Sequence, residues 1–334
     1  MRLPPERLRG LASGLLEARD VPAANARIQA DLLLEAELRG LPSHGLQRLP
    51  LILSRLEKGL ADGQAHGSGT WCRRSFLSVD GKRGLGPVVV THALQTMRPV
   101  VHEAGIAIAA IRNANHIGML AYYAEAAARS GLIGIIMSTS EALVHPFGGT
   151  QAMLGTNPVA IGIPSGDQHF VLDLATSVVS MGKINHHAMR SMPIPPDWAV
   201  DAEGRSTTDA NAARMGAIAP FGGAKGYGLG LAIELLVAAL AGSDLAPDVH
   251  GTLDDTHVAN KGDLLILIDA AAGDGSIRSI ASYLDRLRGS RPSDRASPVA
   301  VPGDGARQRR AATERSGIEL PQPLLEHLLA LEAA

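Results

Sequence analysis

Residues 103–137 read EAGIAIAAIRNANHIGMLAYYAEAAARSGLIGIIM, and they decide the fold class. A helix ending near Glu103 gives way, through Gly105, to the apolar run 106–111. A second helix, ending near Arg129, gives way through Gly131 to the apolar run 132–137. Glycine just past a helix end is the usual C-terminal stop. A short apolar run behind it fits a buried strand better than more helix. The helix–glycine–strand unit is used twice, 26 residues apart. It predicts a sheet with helices packed on it, an α/β or α+β class.

Upstream, residues 1–60 read as helices. Leu8, Leu11 and Leu15 share helical spacing. Asp20 is expected to cap a second helix that carries Pro22 in its first turn, with Ala24, Ile28, Leu32 and Ala36 on one face. Gly40 and Pro42 stop it, and a third helix runs from about Gln47 to Lys58. Downstream, 159–163, 170–173 and 264–269 read as strands, and 276–289 and 321–332 as helices. The apolar stretch 226–242 contains Glu234 and falls short of the roughly 20 residues of a membrane span, so a buried helix of a soluble protein is expected. Residues 290–312, with Arg, Pro, Gly and Asp, read as an exposed loop.

Composition excludes several classes. In 334 residues, 46% are hydrophobic and 19% charged, which is neither disordered nor fibrous. A formal charge of −2 gives no footprint for nucleic acid or an anionic membrane, and 3% aromatics leave little for base stacking. The lone Cys72, beside Trp71, reads as a packed thiol; it allows neither an intrachain disulfide nor a cysteine metal site, in keeping with a cytoplasmic protein. The start, MRLPPERLRG, does not read as a signal peptide. His186 and His187 are adjacent with no acidic cluster, so no metal site is expected there.

Four segments are richer in chemistry than packing requires. Ser43-His44-Gly45 with Arg48 places an imidazole and a guanidinium at i, i+4, expected on one helix face. The pair suits an anion whose carbonyl or hydroxyl exchanges a proton, though alone it also fits a helix cap and a surface ion pair. Asn113-Ala-Asn-His116-Ile-Gly118 follows a strand and precedes a helix, where α/β ligand sites concentrate; it also fits a capping turn. Residues 145–149 (HPFGG) and 154–158 (LGTNP) form turns whose backbone N–H groups can hold an anion; each alone also fits a plain tight turn beside the strand 159–163. Asp173-Leu-Ala-Thr-Ser177 ends a strand, and 221–228 (FGGAKGYG) opens the apolar helix with Lys225 at its start, a place for phosphate oxygens; the segment also fits a glycine-hinged turn with an exposed lysine. No G-x-G-x-x-G follows a strand, so the Rossmann fingerprint is missing, and no G-x-S-x-G elbow is present.

Taken in order, these segments, with Gly182-Lys183 and 193–201 (PIPPDWAVD), resemble the type-2 malate/L-lactate dehydrogenase family, which includes ureidoglycolate and sulfolactate dehydrogenases, diketogulonate reductase and Δ1-piperideine-2-carboxylate reductases. The resemblance covers about residues 5–320. It implies a non-Rossmann nicotinamide-binding sheet domain, 76–274, and a separate, mainly helical domain, 1–75 joined by C-terminal elements from about 275–334. It implies an NAD- or NADP-dependent oxidoreductase acting at C2 of a small 2-hydroxy or 2-oxo acid. The alternatives are a cyclic 2-imino acid reductase or a ureidoglycolate or sulfolactate dehydrogenase. A small carboxylate substrate and a homodimer follow, with no nucleic acid or membrane partner.

By position, the resemblance implies His44 and His116 as the proton-transfer pair, Arg48 as the substrate-carboxylate ligand and Thr156 beside the substrate. Ser140, Asp173, Thr176, Ser177, Lys225, Gly303 and Asp304 fall in segments that line the cofactor. Two stretches depart from the pattern: Leu-Pro-Ser before His44, and the individual loop 246–260.

Overall fold

The computed structural model describes residues 2–273, 275–294 and 296–333. Its elements, in chain order, begin with β1 (Arg2–Leu3), α1 (Pro5–Glu17), α2 (Ala23–Leu38), α3 (Leu49–Glu57), β2 (Ser68–Arg73), β3 (Phe76–Asp80), α4 (Gly86–Ala104), β4 (Ile106–Arg112), α5 (Ala121–Arg129) and β5 (Leu132–Ser138). They continue with β6 (Val159–Ile163), β7 (Phe170–Leu174), α6 (Met181–Met189), β8 (Ala199–Val200), α7 (Ala210–Arg214), β9 (Ala217–Ile218) and α8 (Ala224–Ala241). The last are β10 (Gly262–Asp269), α9 (Ile277–Arg288), α10 (Asp304–Ser316), β11 (Ile318–Glu319) and α11 (Gln322–Ala333).

The repeated unit organises a mixed seven-stranded sheet in the order β2-β3-β4-β10-β5-β6-β7. Gly105 and Gly131 stand at φ +78° and +77°, the left-handed region a helix needs to turn sharply into a strand. The two strands so launched, β4 and β5, are not neighbours. β10 inserts antiparallel between them, with Ile266 opposite Ile108 on one side and Ile135 on the other. Among the described strands of this sheet, only β3 and β4 pair in parallel. α4 and α5 cover one face, where Val89, Met97, Ile111, Tyr123, Ile136 and Leu265 are buried together. α8 covers the other through Ile233, Val237 and Ala241.

A second core joins the two ends of the chain. Leu8, Leu11 and Leu15 of α1 pack with α2, α3 and the C-terminal Ile318, Leu320, Leu325 and Leu328. β1 pairs antiparallel with β11. A third, small core gathers α6, α7, β8 and β9 around Ile184, Ile194 and Ile218.

Several expectations are corrected. The loop assigned to 290–312 ends early, because α10 begins at Asp304; its sequence, DGARQRRAATERS, is made of good helix formers but buries no residue fully, so no apolar period announces it. The hairpin β2–β3 starts at Ser68, ahead of the expected 75/76 boundary; β2 is exposed along its whole length and so shows no alternation. Cys72 lies on it and is exposed rather than packed. Asp20 does not cap α2: it turns at φ +59°, and Pro22 occupies the cap. Ala24 is exposed, whereas α2 is buried almost all round from Gln29 on. α8 is buried on one side only, leaving Leu229, Leu235, Leu236 and Leu240 exposed.

Candidate active site

His116 is carried by the segment that leaves β4. Asn113 turns the chain at φ +57°, and the next Asn anchors it: Asn115 Nδ2 donates to the Arg83 and Gly84 carbonyls at 2.7 and 3.2 Å, and its own N–H donates to Gly84 O at 3.1 Å. The first residue of α4, Gly86, backs directly on this segment. A Cβ there would lie 2.4 Å from His116 O and 2.5 Å from Asn115 O, so only glycine lets the two backbones meet. His116 Nδ1 accepts from the Gly118 N–H at 3.0 Å. The neutral ring therefore carries its proton on Nε2.

His44 and Arg48 are not on one helix, contrary to expectation. Two single 3-10 turns, Pro42–His44 and Leu46–Arg48, are broken at Gly45, where the backbone is extended. Glu37 of α2 fixes the break by accepting the Leu46 N–H at 2.7 Å. The side chains nevertheless converge. The His44 and His116 ring centroids are 5.7 Å apart. Both rings, with Arg48, Arg55, Asn115 and Thr252, line one cavity. Ser43 Oγ lies 3.0 Å from His44 Nδ1, and Arg48 Nη2 donates to the Thr252 carbonyl at 2.7 Å. Burial first, and the Arg48 cation second, push the His44 imidazolium down to about 4. Burial, Arg48 and then His44 hold His116 well below the usual histidine range.

His44 and Gly118 also border a second, larger groove of about 620 Å³. That volume falls within the roughly 300–1,000 Å³ of small-molecule and cofactor sites. Thr156, Asp173, Gly303 and the start of α10 line it, together with Arg39, Arg307 and Arg309. Its walls are rich in small residues, Gly118, Ala121, Ala175, Ala300, Gly303 and Gly305, which let a ligand lie against backbone. This lining fits a dinucleotide.

The other expected cofactor residues separate into anchors and an outlier. Ser140 Oγ accepts from the Thr156 N–H at 3.1 Å, and Thr176 Oγ1 donates to Thr156 O at 2.9 Å, so both hold the turn that presents Thr156. Ser177 Oγ donates to Val179 O. Asp173 accepts the Ala121 N–H at 2.8 Å, pinning the start of α5 to the groove. Asp304 binds Arg288, Arg307 and the Val301 N–H, which depresses its carboxyl and fixes the Gly303 turn. Lys225 is exposed in the first turn of α8 and does not reach the groove.

Sequence reasoning missed Arg55 and Glu37. Arg55 stands seven residues after Arg48, two helical turns on, a spacing that could have flagged it. Glu37 carries no signal of its own, since its role exists only where α2 meets the His44 turn.

A protein-family model described as malate/L-lactate dehydrogenase matches residues 3–329. The crystal structure of a dehydrogenase from Sinorhizobium meliloti superimposes with a TM-score of 0.97 at 75% identity, covering 99% of this chain and 98% of that one. The L-sulfolactate dehydrogenase of Methanocaldococcus jannaschii is 35% identical over 331 residues, 98% of this chain and 95% of the relative. The Delta(1)-pyrroline-2-carboxylate reductase 2 of Burkholderia multivorans is 34% identical over 333 residues, 98% and 96% of the two chains. With the convergent histidines and arginines beside a long groove, the chain belongs to the malate/L-lactate dehydrogenase family and is an oxidoreductase.

Proposed function

We propose that the protein interconverts a small 2-oxo acid and its 2-hydroxy acid, with His44 as the proton donor and acceptor. The observation that carries this reading is the position of His44, which borders both the small cavity with Arg48 and the large groove. Arg48 holds the substrate carboxylate with its planar fork and so orients C2 toward the groove. A nicotinamide cofactor held in the groove lined by Thr156, Asp173 and Gly303 would supply the hydride for C2, or accept it in the reverse direction. As the oxygen on C2 gains charge, His44 delivers a proton to it. The Nε2–H of neutral His116 donates a hydrogen bond to the same oxygen. The substrate carboxylate screens the Arg48 cation from His44, which favours the imidazolium that the reduction requires.

The long groove, with Thr156, Asp173 and Gly303 along it, supports the dinucleotide assignment. The exposed leucines of α8 support a homodimer, since a row of them is a patch that a single chain seldom leaves open. A spectrophotometric screen at 340 nm, of 2-oxo and cyclic 2-imino acids with NADH and NADPH, tests the activity. Reduction of 2-oxo acids is expected. Turnover confined to cyclic imino acids would shift the substrate class, and no turnover with any of them would refute the reading.

A further inference from the structure

Arg48 has one hydrogen-bond acceptor among the described residues, the Thr252 carbonyl, which takes its Nη2 at 2.7 Å. That acceptor is neutral, so the guanidinium keeps its charge for a substrate carboxylate. Thr252 is only 3% exposed, yet it belongs to no helix or strand. Gly251 before it stands at φ +80°, a residue of wide backbone freedom, so stiffness of the chain does not hold Thr252 in place.

Glu141, just past the end of β5, does hold it. Its Oε1 accepts the Thr252 and Leu253 N–H groups at 2.7 and 3.0 Å, and its Oε2 accepts the Thr252 hydroxyl. The Thr252 carbonyl and the Leu253 N–H belong to one planar peptide group and point to opposite sides of it. Glu141 thus grips one end of that plane and Arg48 the other. The peptide dipole lies between an anion at its N–H and a cation at its carbonyl oxygen, so each bond polarises and strengthens its counterpart. Burial lowers the Arg48 pKa, and the Glu141 charge opposes that fall. The rest of the loop is tied to α3 instead: Ser54 Oγ donates to Asp255 at 2.6 Å and Arg55 Nη1 to the Asp254 carbonyl at 2.6 Å. Next to Glu141 in the chain, Ser140 Oγ accepts the Thr156 N–H, so two adjacent residues set the Arg48 mount and the turn at the groove.

We propose that Glu141 is a positioning residue for Arg48: by fixing the 252–253 peptide plane it aims the guanidinium at the substrate carboxylate. This rests on the reading of Arg48 given above and adds to it the group that orients it. Glu141 touches neither substrate nor cofactor in this role, and its effect reaches the reaction only through Arg48. Small misplacements of an orienting group are costly to the reacting geometry.

A double-mutant cycle tests it. KM and kcat are measured at 340 nm with pyruvate, oxaloacetate and Δ1-pyrroline-2-carboxylate, which present the same carboxylate, and the fastest of them is carried through the cycle. Glu141→Ala is expected to raise KM about tenfold, a usual scale of coupling between contacting groups, with a smaller change in kcat. Glu141→Gln, which keeps an acceptor for both N–H groups, should recover most of that KM. In the Arg48→Ala background Glu141→Ala should add less than about twofold, because the group it aims is gone. Thermal melting checks folding. Should Glu141→Ala melt below the assay temperature, Glu141→Asp, which keeps the charge but falls short by one carbon, takes its place with the same expectation. A KM within twofold of wild type, a Gln variant as impaired as Ala, or a full effect of Glu141→Ala in the Arg48→Ala background overturns the proposal and leaves the oxidoreductase reading standing. No turnover of any of the three acids by the wild type removes both.

Discussion

Glu234, the one charged side chain in the interior of apolar α8, takes a 2.5 Å hydrogen bond from Asn157 Nδ2. The same carboxylate accepts the Ala246 N–H at 2.7 Å and the Gly155 N–H at 3.4 Å. A helix on one face of the sheet thus holds the G-T-N-P turn that presents Thr156 to the groove, and also the start of the loop that reaches Thr252. Glu234→Ala strands these buried donors. We expect a loss of about 1–3 kcal/mol in urea unfolding, with a larger fall in turnover than the stability loss explains. Wild-type turnover with unaltered stability would show that the turn is held by something else.

Glu37 offers a pH test of the loop that carries His44. Burial raises its carboxyl to about 7, against the help of the Leu46 N–H. The folded protein therefore binds a proton between about pH 4.5 and 7 that the unfolded chain has released. The group's contribution is fully present below pH 4.5 and is lost as pH rises through 7. Glu37→Gln keeps the acceptor for Leu46 without the ionisation. Relative to that variant, the wild type should lose about 3 kcal/mol between pH 4.5 and 8, on the scale of 1.36 kcal/mol per pKa unit. Denaturant midpoints at four pH values decide it; parallel curves for the two proteins would contradict the buried-carboxyl picture.

The repeated helix–glycine–strand unit was legible because both of its signals are local: a left-handed glycine and a short apolar run. Which strands pair was not, because β10 comes from 130 residues further on and inserts between β4 and β5. His44, Arg48 and His116 were legible as chemistry but not as geometry. The helix expected to align the first two is broken at Gly45, and they still meet because Glu37 shapes the turn. α10 stayed hidden since an exposed helix has no apolar stripe to betray it, and Arg55 because one more arginine on a helix looks like solvent-facing charge.

The pair of histidines predicts different pH dependences for the two directions of catalysis. In the free enzyme His44 is neutral above about pH 4. As a base for oxidation of the hydroxy acid it is ready across the neutral range, so kcat/KM in that direction should be flat from pH 5 to 8. As an acid for reduction its charged form thins as pH rises, so kcat/KM for the 2-oxo acid should fall across the same range. His44→Ala should lower kcat by roughly 10²–10⁴-fold, and His116→Ala should lower it too. Arg48→Ala should act chiefly on KM, by loss of carboxylate binding. A reduction rate that climbs with pH would remove His44 as the donor.

The exposed side of α8 carries the last prediction. Leu229, Leu235, Leu236 and Leu240 are 36–51% exposed, while Ile233, Val237 and Ala241 of the same helix are buried against the sheet. A helix apolar on both sides needs a second cover, and in a homodimer a second copy of the chain provides it. Leu235→Glu and Leu236→Glu leave the sheet contacts untouched and place charge in that cover. Together they should convert dimers to monomers in sedimentation velocity, while the isolated chain keeps its helical circular dichroism. A wild-type protein that sediments as a monomer, or a double variant that stays dimeric, would put the cover elsewhere. Because the same helix holds the Thr156 turn through Glu234, loss of the dimer should also lower turnover, which links assembly to the site by one element.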